Sequence, residues 1–101
     1  MLFFIGDDLE RLRFRMRCAT RTVSRFGRLD AAVNCTGTES TPGPLTEQTA
    51  ETYAGTFDTN VLGTLLSMKH EMRVTLAQGR GSIVNISSTY GHAAWRCCER
   101  Q

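Results

Sequence analysis

Short apolar runs alternate along this chain with longer segments that have helical periodicity. The runs lie at residues 2–5, 31–33 and 82–86, with the sequences LFFI, AAV and SIVNI. Each is long enough for a short strand that is covered on both faces. Strand, helix, strand, helix, strand is the order typical of a parallel sheet with right-handed crossovers. The sequence therefore predicts the α/β class, and its 101 residues suffice for one domain over 1–101.

Glycine and threonine set the expected helix boundaries. The first amphipathic helix is expected to end at Gly27, and the second to run from Thr46, a possible N-cap, to Gln78. Gly55 and Gly63 weaken the second segment, so an interruption between two helices is expected there. Its apolar positions cover more than one stripe, which indicates burial against its own sheet and against something else.

The charge pattern favours no nucleic acid and no membrane as partner. The formal charge is only +2, although seven arginines lie between residues 11 and 28. We interpret them as a solvated helix face in preference to a nucleic-acid-binding stripe. The apolar start is too short for a signal-peptide core, and no apolar run approaches the length of a membrane span.

The cysteines and histidines have no spacing typical of a metal site, so we expect no metal. There is no Cys-x-x-Cys pair, and neither histidine lies at ligand spacing from a cysteine. Reduced thiols are the expected state, which favours a cytoplasmic location. The residues concerned are Cys18, Cys35, Cys97, Cys98, His70 and His92.

Small and polar residues follow each predicted strand. In open α/β sheets, ligands bind beyond the carboxyl ends of the strands. The stretches expected there are 6–8, 34–37 and 86–88, with the sequences GDD, NCTG and ISS. Such residues allow the backbone to approach a ligand closely, so this edge of the sheet is the predicted site.

Three of these motifs, FGRLDAAVNCTG, TNVLG and GSIVNISS, resemble in order and spacing the middle of the short-chain dehydrogenases/reductases. The resemblance is densest over residues 26–91. It implies a partial Rossmann-like domain and an oxidoreductase that interconverts alcohols and carbonyls with NAD or NADP. In that family the long second helix also packs against a second subunit, which implies a homo-oligomer through residues 60–76.

The resemblance implies two catalytic residues. Asn60 matches the helix asparagine of the family's catalytic tetrad, which holds a water in the proton relay. Ser88 matches the serine that hydrogen-bonds the substrate oxygen. The residues alone leave structural roles open: Asn60 can bond a backbone carbonyl at a helix kink, and Ser87 and Ser88 can cap a strand end.

The cofactor-binding residues are implied in the same way. Asn34 and Gly37 match the ends of the family's Asn-Asn-Ala-Gly motif, whereas Cys35 and Thr36 depart from it. A purely structural role in tying two strands together also remains open for Asn34. The implied cofactor contacts are Asp8, Asn34, Thr36, Gly37, Ile86 and Ser87.

Two family features do not occur in these 101 residues: the Gly-rich dinucleotide turn and the Tyr-x-x-x-Lys pair that moves the proton. We therefore expect weak or no NAD(P) binding and no catalysis by the chain as given. Both ends depart from the family pattern, and we expect a truncated or frameshifted product. The alternative is a non-catalytic interaction module that pairs with an intact homologue through its long helix.

Overall fold

The computed structural model describes residues 9–39 and 41–89, and their architecture is α/β. No helix in these ranges is long and apolar enough to cross a bilayer. The predicted first strand at 2–5 lies outside the described residues. In chain order the elements are α1 (Leu9–Phe26), β1 (Ala31–Asn34), a 3-10 turn (Leu45–Glu47), α2 (Ala50–Phe57), a π-helical segment (Asp58–Leu62), α3 (Gly63–Gln78) and β2 (Ser82–Asn85).

β1 and β2 form a parallel pair, as the alternation predicted. Their register sets Ala31 beside Ser82 and Asn34 beside Asn85. The amide of Ile86 donates to the carbonyl of Asn34 at 2.8 Å and extends the pairing by one step. The helical crossover between the strands lies on the sheet, as a parallel connection requires. Both strands therefore end at the same edge, where the predicted site begins.

The first helix ends where its sequence predicted. Gly27 has a φ of 78°, and its amide donates to the carbonyl of Val23 at 2.7 Å. A left-handed residue of this kind is easiest for glycine, which has no Cβ. α1 packs against α3. The buried residues on its described part are small, namely Cys18, Ala19 and Thr22. Small side chains let two helices approach closely.

The expected N-cap at Thr46 is wrong. Thr46 lies inside the 3-10 turn, and the extended backbone of Gln48 ends that turn. The helix begins instead after Thr49, whose side chain accepts from the amide of Thr52 at 3.2 Å. Thr52 reciprocates, since its hydroxyl accepts from the amide of Thr49 at 2.9 Å, which completes a capping box. Thr46 also has a threonine three residues on, so the two sites differ in backbone conformation: Gln48 is extended after Thr46, whereas the chain is helical after Thr49.

The expected interruption of the second helix takes the form of a π-helical segment. The chain stays helical from α2 through Asp58–Leu62 into α3, and Gly63 becomes the first residue of α3. Gly55 lies inside α2 without ending it. A π-helical turn inserts an extra residue and is frequent at functional sites. Asn60 lies at the centre of this one.

Three side-chain hydrogen-bond pairs hold this helical crossover antiparallel along β1. From Asn60 to Gln78, at the end of α3, the helix is about 27 Å long at 1.5 Å per residue. The strand and its flanks, residues 29–38, span about 30 Å when extended. The two lengths match, so polar ties are possible at both ends and near the middle. The pairs are Asn60 with Thr38, Glu71 with Asn34, and Gln78 with Leu29.

In α3 small and polar side chains are buried and large apolar ones are exposed, which is the reverse of a simple amphipathic helix. Its buried residues are Gly63, Ser67 and Glu71. Leu65 and Leu76, in contrast, are 61% and 73% exposed. The prediction of a second covering surface fits this pattern, because large apolar side chains on one stripe are expected to be covered. We call the exposed stripe the α3 face; it consists of Val61, Leu62, Leu65, Met72 and Leu76.

Replacing Gly81 with alanine should destabilise the fold by about 1–3 kcal/mol. A Cβ on Gly81 would overlap Thr75, lying 2.6 Å from its Cβ and closer still to its methyl group. The Thr75 hydroxyl donates to the carbonyl of Glu71 at 3.0 Å, so the side chain is not free to turn away. The matched control is Gly55→Ala, which meets nothing within 4 Å and should stabilise α2 by about 1 kcal/mol. Urea unfolding of both variants measures the difference, and equal midpoints would contradict it.

Candidate functional site

A cleft opens at the carboxyl edge of the two strands. Its volume is about 560 Å³, and three separate stretches of the chain form it. The first follows β1, the second spans the π-helical segment and the start of α3, and the third follows β2. The lining residues are Cys35, Thr36, Gly37, Thr38, Glu39, Asn60, Thr64, Ile86, Ser87 and Ser88.

The cleft brings together six of the eight residues that the sequence analysis selected. They are Asn60, Ser88, Thr36, Gly37, Ile86 and Ser87. Asn34 does not line the cleft but lies directly below it, at the end of β1. Asp8 lies outside the described residues. The sequence did not single out Thr38, Glu39 and Thr64, which reach the cleft through the same loop and the same helix turn as their selected neighbours.

Asn60 fixes the loop that forms one wall of the cleft. Its Oδ1 accepts from the amide of Thr38 at 2.7 Å, and its Nδ2 donates to the carbonyl of Thr38 at 2.9 Å. The carboxamide thus binds the Thr38 backbone as a neighbouring strand would. The carbonyl of Asn60 accepts from the Thr64 hydroxyl at 2.9 Å. The partner across the loop was not predictable, because it lies 22 residues away in the sequence.

Asn34 ties the two strands to each other and to α3. Its Nδ2 donates to Oδ1 of Asn85 at 2.9 Å and to Oε2 of Glu71 at 3.0 Å. The strand-tying role that the sequence left open is therefore present. Since Cys35 and Ile86 follow these two asparagines directly, the network fixes the points from which both cleft-lining stretches leave the sheet.

Glu71 is a buried acid that the sequence analysis missed. It is 9% exposed and lies near the middle of α3. Burial raises the pKa of its carboxyl group above the ordinary value of 4.5, and the hydrogen bond from Asn34 opposes that shift in part. The signal in the sequence is its spacing: Gly63, Ser67 and Glu71 recur every four residues and form the buried face of α3.

Glu71→Gln should stabilise the protein at neutral pH by about 1 kcal/mol, because glutamine keeps an acceptor for Asn34 and carries no charge to desolvate. A raised pKa in the folded state means that the folded protein holds the proton more tightly than the unfolded one. The stability from this group is therefore present below pH 4.5 and is lost as pH rises through the folded pKa. The stability that Glu71→Gln gains over the wild type should therefore grow as pH rises from 4.5 through the folded pKa of Glu71. Unfolding curves measured at several pH values test this.

Glu51→Gln is the control for this prediction, because it should change the stability at neutral pH in the opposite direction. Hydrogen bonds from its own backbone and from Thr49 lower the pKa of Glu51, at the start of α2. Its charge stabilises the folded state above pH 4.5, so this variant should lose stability there. A Glu71→Gln variant that loses stability at neutral pH would show that the carboxylate is favourable where it lies.

Comparison with known proteins agrees with this geometry. The family described as short chain dehydrogenase matches residues 1–99. The match therefore extends beyond the stretch, 26–91, in which the motifs are densest. It also includes the predicted first strand and most of the residues after Ser88.

Named relatives and solved structures are similar over most of this chain. Xanthoxin dehydrogenase of Arabidopsis thaliana is 36% identical over 90 residues, which are 88% of this chain and 32% of that protein. A-factor type gamma-butyrolactone 1'-reductase (1S-forming) of Streptomyces virginiae is 39% identical over 92 residues, 90% of this chain and 36% of its own length. The structure of ElxO with NADP bound is 32% identical with a TM-score of 0.76, over 88% of this chain and 36% of that one.

The chain spans about a third of the length of these relatives. Within that third the strand order, the parallel register and the helical crossover agree with a Rossmann-type fold. With the family match over nearly its whole length, the chain belongs to the short-chain dehydrogenase family.

Proposed function

We propose that these 101 residues carry part of the active site of an NAD(P)-dependent oxidoreductase that interconverts an alcohol and a carbonyl compound. One observation carries the proposal: the cleft gathers Asn60 and Ser88 from stretches far apart in the sequence, together with four residues selected as cofactor contacts. The parallel pairing of β1 and β2 brings these stretches to the carboxyl edge of the sheet, where ligands bind in open α/β folds.

In this proposal each side chain has a limited task. The Ser88 hydroxyl hydrogen-bonds the substrate oxygen, and Asn60 holds the Thr38 loop against the cleft. Asn34 supports the floor through Asn85. The proposed contacts of the cofactor's ribose and nicotinamide are Thr36, Gly37, Ile86 and Ser87, and Asp8 remains a prediction for the adenine end.

The residues present fit the nicotinamide and ribose of the cofactor, but they provide no binding turn for its phosphates. Gly37 has no side chain and is exposed at the cleft, so a flat ring or a ribose can approach its backbone. When bound, the cofactor accepts or donates the hydride. The 101 residues contain no Gly-rich turn for its phosphates and no Tyr-x-x-x-Lys for the accompanying proton.

We therefore expect the 101 residues, when tested alone, to show no hydride transfer. General acid–base help contributes about 10²–10⁴-fold, and loss of cofactor orientation removes more. Isothermal titration with NADH and NADPH, followed by turnover assays with alcohols and oxidised cofactor, tests this. Saturable binding at micromolar concentration would contradict the expected loss of cofactor affinity. Turnover that Ser88→Ala abolishes would contradict the expected inactivity and support the assigned role of Ser88.

A second candidate function is a non-catalytic interaction module. The α3 face favours it, because Leu65 and Leu76 are largely exposed while the polar Ser67 is buried. The proposed partner is a second copy of the chain or an intact homologue. A cytoplasmic location belongs to the same set of proposals; it fits the free thiols of Cys18 and Cys35.

A further inference from the structure

The described residues that line the cleft carry one acidic side chain and no basic one. The acid is Glu39, which follows Thr38 in the loop after β1. Hydroxyl groups supply most of the remaining polarity. They belong to Thr36, Thr38, Thr64, Ser87 and Ser88. A hydroxyl both donates and accepts hydrogen bonds, so this lining suits uncharged alcohol, carbonyl and hydroxyl groups.

The acid at the cleft is part of a wider separation of charge. Residues 36–68 contain four acids and no lysine, arginine or histidine. Two of the bases, Arg28 and Arg80, precede β1 and β2, at the edge of the sheet opposite the cleft, and others lie on α1 and α3. The four acids, Glu39, Glu47, Glu51 and Asp58, are all exposed. Only Glu39 among them lines the cleft.

The structure also explains why the Glu39 charge stays near the cleft. The backbone of Thr38 is held in both directions by Asn60, at 2.7 and 2.9 Å. The Thr38 hydroxyl donates to the carbonyl of Glu39 at 3.2 Å. The Glu39 backbone is thus anchored beside the cleft, and its carboxylate can move only within the length of one side chain.

We propose that Glu39 makes this cleft select uncharged or cationic alcohols and carbonyls against carboxylates and phosphates. The inference rests on the proposed function and adds the charge class of the substrate. A carboxylate about 6 Å from Glu39 should bind about three- to tenfold more weakly than its uncharged analogue, because like charges repel through a medium between water and protein. The discrimination should shrink as salt is added, since both groups lie near solvent.

Three ring compounds of one shape test this directly: cyclohexanone, its ring-carboxylated analogue and its ring-aminated analogue. Each is titrated into the isotopically labelled 101-residue chain, and backbone amide shifts at Gly37 and Thr64 give the affinities by NMR. The expected order is amine and ketone above carboxylate. In Glu39→Gln the carboxylate should approach the ketone, and in Glu39→Lys it should bind more tightly than the ketone.

Glu47→Lys is the matched control, since it changes the net charge equally at an exposed residue that does not line the cleft. It should keep the wild-type order. A carboxylate that binds wild type as well as the ketone does, or an order that Glu39→Lys and Glu47→Lys change equally, would overturn the role of Glu39 and leave the proposed function in place. Amide shifts that none of the three compounds moves would count against the alcohol and carbonyl function itself, and with it this inference.

Discussion

Gln78→Ala should lower the free energy of unfolding by about 2–6 kcal/mol, because it leaves two buried backbone groups without a partner. The Gln78 Oε1 accepts from the amide of Leu29 at 2.8 Å, and its Nε2 donates to the carbonyl of Leu29 at 2.8 Å. Leu29 is 2% exposed, so water cannot replace either bond easily. For a domain of this size that loss is a large part of the total stability.

Urea unfolding followed by circular dichroism measures this effect. The control is Gln48→Ala, which removes the same atoms from an exposed loop where the amide contacts the carbonyls of Thr41 and Gly43 at 3.2 and 3.5 Å. It should cost about 0.5–1.5 kcal/mol or less. If the two variants unfold at the same urea concentration, solvent reaches the Leu29 backbone and the two hydrogen bonds between Gln78 and Leu29 contribute little to stability.

The chain should self-associate through the α3 face, which is the second large effect. Leu65, Met72 and Leu76 are 61%, 43% and 73% exposed, and burying each side chain fully contributes about 1.5–3 kcal/mol. The double variant Leu65→Glu with Leu76→Glu should raise the dissociation constant at least about 100-fold, since each 1.4 kcal/mol is tenfold. Light scattering and sedimentation at tens of micromolar compare the two proteins.

Leu45→Glu is the control for association. Leu45 is 87% exposed on the 3-10 turn and lies outside the α3 face. It should leave the oligomeric state unchanged. A wild-type chain that stays monomeric while its α3 amides are protected from hydrogen exchange would contradict the prediction, because a stable fold would then tolerate the exposed face.

Local signals account for the parts of the fold that the sequence predicted. Gly27 ends α1 because a left-handed residue is needed there, and the apolar run at 82–85 becomes a strand. The error at Thr46 has a local cause too. Thr46 and Thr49 are equally good caps by residue type, and only the extended backbone at Gln48 and the reciprocal bond from Thr52 decide between them.

The sequence predicted where the site lies but not the hydrogen bonds that shape it. The resemblance in three motifs located Asn60 and Ser88, and the structure puts both on one cleft. The contacts that shape the cleft link residues 22 and 37 positions apart: Thr38 with Asn60, and Asn34 with Glu71. No local pattern encodes such pairs. The burial of Glu71 is of the same kind, since a glutamate within a helix is ordinarily expected on its exposed side.

The three ties along β1 also bear on how quickly the chain folds. Their partners are 22, 37 and 49 residues apart, and each pair encloses the previous one. Once Asn60 meets Thr38, only residues 35–37 and 61–70 remain free inside the next loop, so closing it costs much less chain entropy than it would from an open chain. The three ties can therefore form one after another, beginning with the Asn60 tie at the cleft and ending with the Gln78 tie. Weakening the Asn60 tie should slow folding, whereas weakening the outermost Gln78 tie should mainly speed unfolding.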